Sequence, residues 1–294
     1  MRIDLHADDL GATRGVNENI LAAWDAGALD SASIIANGDG LYVAVKAINS
    51  DITRRLRLVV HLNLSEGRSL IHPSRLTLLV DKLGRLRHGF ASLWNLWQSS
   101  DMQTRLRLRN QIEVEWREQI KKAIEIFTPR CISAVDSHIH VHMLPFLFPI
   151  AARLATEFTI PEIRISNECY HFSFKESLWT GFPINILKHL LLNILARSAR
   201  KVIKTYNLKS PDAIFGVLYS GHMSYETACA ALKVGRQQGL EWIEILFHPG
   251  RASEYETDRW SGKPEIGRFY KHPFRDVERD ALLRIAANKS QIQK

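Results

Sequence analysis

The sequence predicts an α/β chain in which parallel strands close into a (β/α) TIM-like barrel of fewer than eight strands. Three observations carry this. Short apolar runs alternate about seven times with stretches of helical periodicity, the pattern of parallel strands joined by helical crossovers. Chemistry-bearing residues follow the first, third, fourth and seventh runs. In a barrel the loops at many strand ends converge on one site, whereas an open doubly wound sheet gathers its site at one switch point. The 294 residues, 46% hydrophobic and 24% charged, have ordinary globular composition and the length of one barrel-sized domain, so residues 1–294 are expected to form one unit.

The elements follow in order. Arg2–His6 reads as the first strand and Asp8–Gly11 as its turn. Val16, Ile20, Leu21 and Trp24 recur at helical spacing, and Gly27 stops that helix. Ser31–Ala36 is a second strand ending in the turn Asn37–Gly40, with a short helix through Val43, Val45 and Ile48. Leu56–Leu64 is a third strand carrying His61. A long connection, about 65–100, holds Phe90, Trp94 and Trp97; connections of this length are usually lids or binding loops. Arg105–Phe127 is a long charged helix with a buried stripe through Ile112, Trp116 and Ile120. Ile132–Asp136 is the fourth strand, Phe146–Phe158 a helix and Glu162–Ile165 the fifth strand. A second insertion spans about 166–208. Ala213–Leu218, the helix Tyr225–Gly239, the strand Trp242–Phe247 and a last helix near Asp276–Ala287 complete the chain.

Composition excludes several classes. Cys131, Cys169 and Cys229 are scattered and odd in number, against a disulfide framework or a thiolate zinc site. The opening MRIDLHADDLG is broken by Asp4, Asp8 and Asp9, unlike a signal peptide. No run of about 18 apolar residues suggests a membrane span. A cytoplasmic location follows as the expectation.

Candidate chemistry sits in a few clusters. Asp8 and Asp9 are adjacent carboxylates whose repulsion calls for a cation. One would bind a metal while the other acts as base toward its water; a turn or helix N-cap would equally favour Asp. His61, in Val59-Val-His-Leu-Asn-Leu64, alone reads as a core histidine or a ligand. In Asp136-Ser-His-Ile-His-Val-His142 an extended backbone would turn His138, His140 and His142 to one face. Three imidazoles there are hard to explain by packing. An early strand end would leave one or two of them at the metal. His248, before Pro249-Gly250, could be ligand, acid or structural; His6 could pack beneath the site.

These residues resemble the YdjC-like carbohydrate deacetylases. Ala7-Asp-Asp-Leu-Gly11 with Gly15-Val-Asn17 looks like the family's opening motif, and His61-Leu-Asn-Leu64 with Glu66-Gly-Arg-Ser-Leu70 like its second. Asp136-Ser-His-Ile-His-Val-His-Met-Leu-Pro145 and Phe247-His-Pro-Gly250 are similar to its third and last. The four occur in the family's order. The resemblance implies a deformed barrel, a divalent metal (magnesium, or zinc or another transition ion) and hydrolysis of the N-acetyl group of an amino sugar with release of acetate. It carries metal ligation onto Asp9, His61 and His138, the general base onto Asp8 and the general acid onto His248. His140, His142, Asn63 and Arg164 are grouped as substrate-side candidates. The chain departs from the family at His6, usually Asn, and at Leu10, usually Phe; neither change removes a ligand.

The formal charge is +8. Most of the excess lies between His171 and Lys209, where Lys175, Lys188, Arg197, Arg200, Lys201, Lys204 and Lys209 face a single acid, Glu176. Helical projection puts Ile184, Leu187, Leu191, Ile194, Leu195 and Val202 on one face and Lys188, Asn193, Arg197, Arg200, Lys201 and Lys204 on the other. The segment 184–204 could therefore lie on an anionic membrane or pack on the barrel with a solvated basic face. Aromatics do not interleave with the basic run, against a nucleic-acid platform. A homodimer is left open. The competing functions are another metal-dependent hydrolase, such as an amidohydrolase or phosphoesterase, and a non-catalytic sugar- or lipid-binding barrel. An amidohydrolase would place His-x-His on its first strand, where this chain has Asp8-Asp9.

Overall fold

A computed structural model describes residues 1–174, 182–256, 260 and 263–288. Lys175 and Glu176, counted in the basic insertion, fall outside them. The elements are β1 (Arg2–Leu10), α1 (Arg14–Asp25), β2 (Ser31–Ile34), α2 (Leu41–Asn49), β3 (Arg57–Leu62), α3 (Phe90–Ser99), α4 (Met102–Phe127), β4 (Ile132–Ser137), α5 (Phe148–Glu157), β5 (Glu162–Ile163), α6 (Phe182–Thr205), β6 (Ala213–Phe215), α7 (Tyr225–Gln237), β7 (Trp242–Phe247), α8 (Pro264–Lys271) and α9 (Phe274–Ala287). Single 3₁₀ segments occupy Pro73–Arg75 and His138–Met143.

The seven strands form one sheet in the order β5-β4-β3-β2-β1-β7-β6, with every ladder parallel. That order is consecutive around a ring, with the break between β5 and β6. Backbone bonds partly bridge the break: Ile163 N–H donates to Lys209 O at 2.9 Å, and Ile214 N–H to Asn167 O at 2.8 Å. The sheet is thus a deformed barrel rather than a doubly wound sheet.

Side-chain alternation explains its interior. The outward residues are apolar and pack under the helices, where Val16, Ile20, Leu58, Val60, Ile112, Trp116 and Ile120 are fully buried. Most of the inward residues are polar: Asp4, His6 and Asp8 on β1, Ser31 and Ser33 on β2, Arg57 and His61 on β3, Asp136 on β4, Glu244 on β7, and Arg164 just past β5, with Val59 and Ala134 among them. They form a chain of contacts along the barrel. Arg57 Nη2 donates to Asp4, and its Nη1 to Glu162 Oε2 at 2.5 Å. Arg164 Nε lies 2.6 Å from Glu244 Oε1, and its Nη1 2.6 Å from Asp136 Oδ2.

Local signals set the ends of the elements. Thr13 caps α1 by accepting from Val16 N–H at 3.3 Å, Asp101 caps α4 through Thr104 N–H at 2.7 Å, and Ser224 caps α7 through Thr227 N–H at 3.2 Å. Asn17, buried on α1, accepts from Gly11 N–H and donates to Gly40 O, both at 2.7 Å. One side chain so ties the loops leaving β1 and β2. Those loops touch at Gly38, where a Cβ would stand 1.9 Å from Gly11 O.

The structure corrects several boundaries. β1 runs on to Leu10, so the Asp pair lies within the strand and not in a turn. β3, β5 and β6 are shorter than expected. The 65–100 connection contains α3, which stacks Trp97 on Phe146 at 4.1 Å between centroids. The two faces of α6 are only partly as projected: Asn185, His189, Leu192, Leu195, Ala196 and Ala199 are buried and Arg197, Arg200, Lys201 and Lys204 are exposed, but Ile184, Leu187, Leu191 and Ile194 are exposed as well. No helix among the described residues is long and apolar enough to cross a membrane.

Candidate active site

The site lies at the carboxyl ends of β1, β3, β4 and β7. Adjacent residues of a regular strand point to opposite faces, yet Asp8 and Asp9 both reach it. The β1–β2 register shifts between Ala7 and Leu10, and Asp9 has φ of 74°. This bulge re-aims a side chain that would otherwise enter the outer core. Aspartate tolerates the left-handed region better than most residues.

Asp9, His61 and His138 each offer a ligand atom, all within 4.8 Å of one another. Asp9 Oδ1 lies 3.2 Å from His138 Nδ1 and 3.9 Å from His61 Nε2. It is buried without a hydrogen-bond partner, while Oδ2 accepts from Arg275 Nη1 at 3.2 Å and Nη2 at 3.3 Å. His61 and Asp136 face each other in the β3–β4 register. There His61 Nδ1 lies 2.7 Å from Asp136 Oδ1, which directs Nε2 toward Asp9. A carboxylate behind a ligating imidazole is the usual support of a metal ligand. His138 Nε2 lies 3.6 Å from Glu66 Oε1. An orphaned carboxylate oxygen beside two imidazoles, one with a carboxylate behind it, fits a divalent cation.

Asp8 is held separately. Arg164 Nη1 and Nη2 both reach Asp8 Oδ1 at 3.1 Å, and His6 Nε2 lies 3.1 Å away. Burial opposes its charge, but Arg164 and His61 hold its carboxyl well below the usual range. His6, Asp8 and Asp136 form a second group of suitable spacing. Arg164 already neutralises its two carboxylates, so one cation site is better supported than two. His248 Nε2 faces Asp8 Oδ2 at 3.9 Å, and its Nδ1 lies 3.5 Å from Glu278 Oε2. Glu278 also accepts the backbone N–H of His248. Between these groups opens a cavity of about 290 Å³ lined by Asp8, His138, His140, Lys188, His248 and Phe269, among others.

The His run does not extend as a strand. His138–Met143 is a 3₁₀ segment with Ile139 and His140 at φ of 48° and 58°, so the three imidazoles diverge. His138 joins Asp9. His140 lines the cavity with Nδ1 2.9 Å from Ser166 Oγ, and burial pushes its pKa well below the ordinary value. His142 turns away, Nε2 to Arg164 O at 2.8 Å. Asn63 does not line the cavity either. Its Nδ2 donates to Asn37 Oδ1 and Glu66 O, and its Oδ1 accepts from Ser65 N–H. Arg164 is buried among carboxylates, and His6 sits beneath the site between Ser31 and Ser33.

Arg275 and Glu278, which touch Asp9 and His248, were not expected. A signal for them exists: with Leu282 and Ile285 they fall on one buried stripe of α9, and charged residues on an apolar stripe need buried partners. Lys188, counted only with the solvated basic face, lines the cavity instead.

Fold and site together define a deformed (β/α) barrel with a carboxylate–imidazole centre at the carboxyl ends of its strands. The profile of the YdjC-like proteins matches residues 2–289, and the chain belongs to that family. It is 28% identical over 185 residues to a carbohydrate deacetylase of Oceanobacillus iheyensis, covering 62% of this chain and 74% of that one. It is 26% identical over 246 residues to a chitooligosaccharide deacetylase of Proteus mirabilis, covering 83% and 79%. A crystal structure from Enterococcus faecalis V583, of a protein named for cellobiose-phosphate cleavage, superposes with a TM-score of 0.70 at 20% identity over 98% of this chain and 94% of that one. At that identity the likeness concerns the fold.

Proposed function

We propose that this protein is a metal-dependent carbohydrate deacetylase that hydrolyses the N-acetyl group of an amino sugar, releasing acetate. The observation that carries the reading is Asp9 Oδ1, a buried, unpartnered oxygen between two imidazoles, one of which, His138, lines the cavity together with Asp8 and His248. The relatives named carbohydrate and chitooligosaccharide deacetylases support the substrate class. The whole chain is read as one barrel bearing two insertions.

Asp9, His61 and His138 would hold the ion. Bound there, it supplies Lewis-acid polarisation of the acetyl carbonyl and acidifies a water. Two imidazoles and one carboxylate suit a borderline transition ion better than magnesium, which prefers oxygen donors. Asp8, kept ionised by Arg164, accepts the proton of the attacking water. A carboxylate held so far below the usual range is a weak base, and an ion held by Asp9, His61 and His138 would offset this by acidifying the water. His248, whose backbone N–H Glu278 accepts and whose Nδ1 lies 3.5 Å from Glu278 Oε2, turns Nε2 toward Asp8 and protonates the leaving amine. His140 and Lys188 on the cavity wall contact the sugar. His142, Asn63 and Arg164 act instead through the residues they hold.

An acetate-release screen over free and oligomeric N-acetyl amino sugars tests the reading. Acetate from at least one sugar by the wild type, lost in Asp8→Asn without loss of bound metal, is the expected result. Full activity of Asp8→Asn would remove Asp8 as the base. Turnover of phosphate esters with no acetate from any sugar would favour a phosphoesterase.

A further inference from the structure

The insertion helix α6 buries one face and leaves a second apolar strip uncovered. Its inward face joins Phe182, Leu192, Leu195, Ala196 and Ala199 to polar anchors on the barrel rim: Asn185 Nδ2 donates to Leu218 O at 3.1 Å, His189 Nδ1 lies 3.1 Å from Glu168 Oε2, and Asn193 Nδ2 donates to Glu168 O at 3.1 Å. Glu168 in turn accepts from Gly216 and Leu218 N–H at 2.7 and 2.8 Å, so the helix is anchored to the loop leaving β6. Its outward face is apolar over the first half. Ile184, Leu187, Leu190, Leu191 and Ile194 are 39–73% exposed. The second half turns basic, with Arg197, Arg200, Lys201 and Lys204 exposed. No Asp or Glu occurs between Phe182 and Thr205. Tyr170, 58% exposed, adjoins the helix at 6.4 Å from the His189 ring.

We propose that α6 docks this protein on an anionic lipid surface, with the catalytic cavity walled by that same helix. A contiguous exposed apolar patch marks an interaction site. An apolar half beside a basic half with no compensating acid matches an acyl boundary overlaid by anionic headgroups. A second copy of the chain fits less well. A two-fold pairing sets a patch against itself, so the basic half of α6 would meet either basic or apolar side chains, never acids. Asn185 and Lys188 line the cavity, so the helix that docks is also part of the cavity wall. Taken with the deacetylase reading, on which this last step rests, the substrate is an acetylated amino sugar carried on a lipid anchor.

Flotation with vesicles of phosphatidylcholine alone, and of phosphatidylcholine mixed with phosphatidylglycerol, tests the docking without any need for activity. Wild type should float with the anionic vesicles and be released by salt. Replacing Arg197, Lys201 and Lys204 by Gln should weaken binding on the order of a hundredfold, and Leu187→Gln with Ile194→Gln at least tenfold. Both variants should keep wild-type acetate release from a soluble N-acetyl oligosaccharide, which shows that the site is folded. Absence of flotation, flotation indifferent to both variants, or a dimer in light scattering that Leu187→Gln with Ile194→Gln abolishes would overturn the docking. A synthetic lipid-anchored N-acetylglucosamine in the anionic vesicles tests the substrate: wild type should turn it over at least tenfold faster than either variant does, and equal rates would reject the lipid anchor.

Discussion

At the Asp9 position the backbone φ of 74° and the shifted β1–β2 register do one job: they bring a second carboxylate to the same side as Asp8. His142 shows a different economy at the same scale. It is fully buried, and burial lowers its imidazole to about 4. Nε2–H donates to Arg164 O, so Nδ1 accepts from the Ser137 hydroxyl, which lies in reach. The neutral ring is thus the one that folds. The folded pKa lies below the unfolded value of 6.5, so this contribution is complete above pH 6.5 and is lost as pH falls toward 4. Urea unfolding should show stability decreasing by about 1.4 kcal/mol per pH unit for that proton. His142→Gln should flatten the slope by that amount; an unchanged slope would show that His142 is protonated in the fold. Glu278 gives the second residue-scale prediction. Glu278→Ala should lower kcat about 10–100-fold by freeing the His248 ring, with KM little changed. Glu278→Gln, which keeps the backbone acceptor, should recover part of the loss.

At the scale of elements, α4 holds the loop that follows β3. Gln119 accepts from Asn63 N–H and donates to Asn63 O, both at 2.8 Å. Glu115, raised in pKa by burial, accepts from Leu70 and Ile71 N–H at 3.0 Å. Gln119→Leu leaves two buried backbone groups unpaired and should cost about 2–4 kcal/mol in a denaturant titration; a change below the error of that titration would show that the loop finds other partners. The strand–helix alternation and the strand-end placement of Asp8, Asp9, His61, His138 and His248 were legible because periodicity and order survive in one dimension. The 3₁₀ turn at His138–Met143 was not, since a left-handed pair at Ile139 and His140 leaves no mark in residue type. The orientation of α6 was open for a related reason. Periodicity finds an apolar stripe but not which side the barrel takes, and the barrel takes a face that combines Leu192, Leu195, Ala196 and Ala199 with the polar anchors Asn185 and His189.

At the scale of the molecule, the barrel interior is a buried ionic column and not an apolar core. Its sequence trace is an inward alternation of Asp4, His6 and Asp8, of Arg57 and His61, and of Glu244 and His248, each interleaved with apolar residues. Strands read for their apolar runs hide that alternation. Arg164, grouped with the substrate side, is the cation shared by Asp8, Asp136 and Glu244. Arg164→Leu should cost about 3–5 kcal/mol, because it strands buried carboxylates. Arg164→Lys should rescue little, lacking the planar fork; wild-type stability of either variant in urea would contradict the column. The central claim is that a cation at Asp9, His61 and His138 drives deacetylation within this barrel. Acetate release by chelated protein, titrated with divalent ions and paired with bound-metal analysis of His138→Ala, tests it most directly. Activity should vanish on chelation and return at one ion per chain, and His138→Ala should lose both metal and activity. Acetate release that persists without metal, or a His138→Ala variant with full metal content, would contradict it.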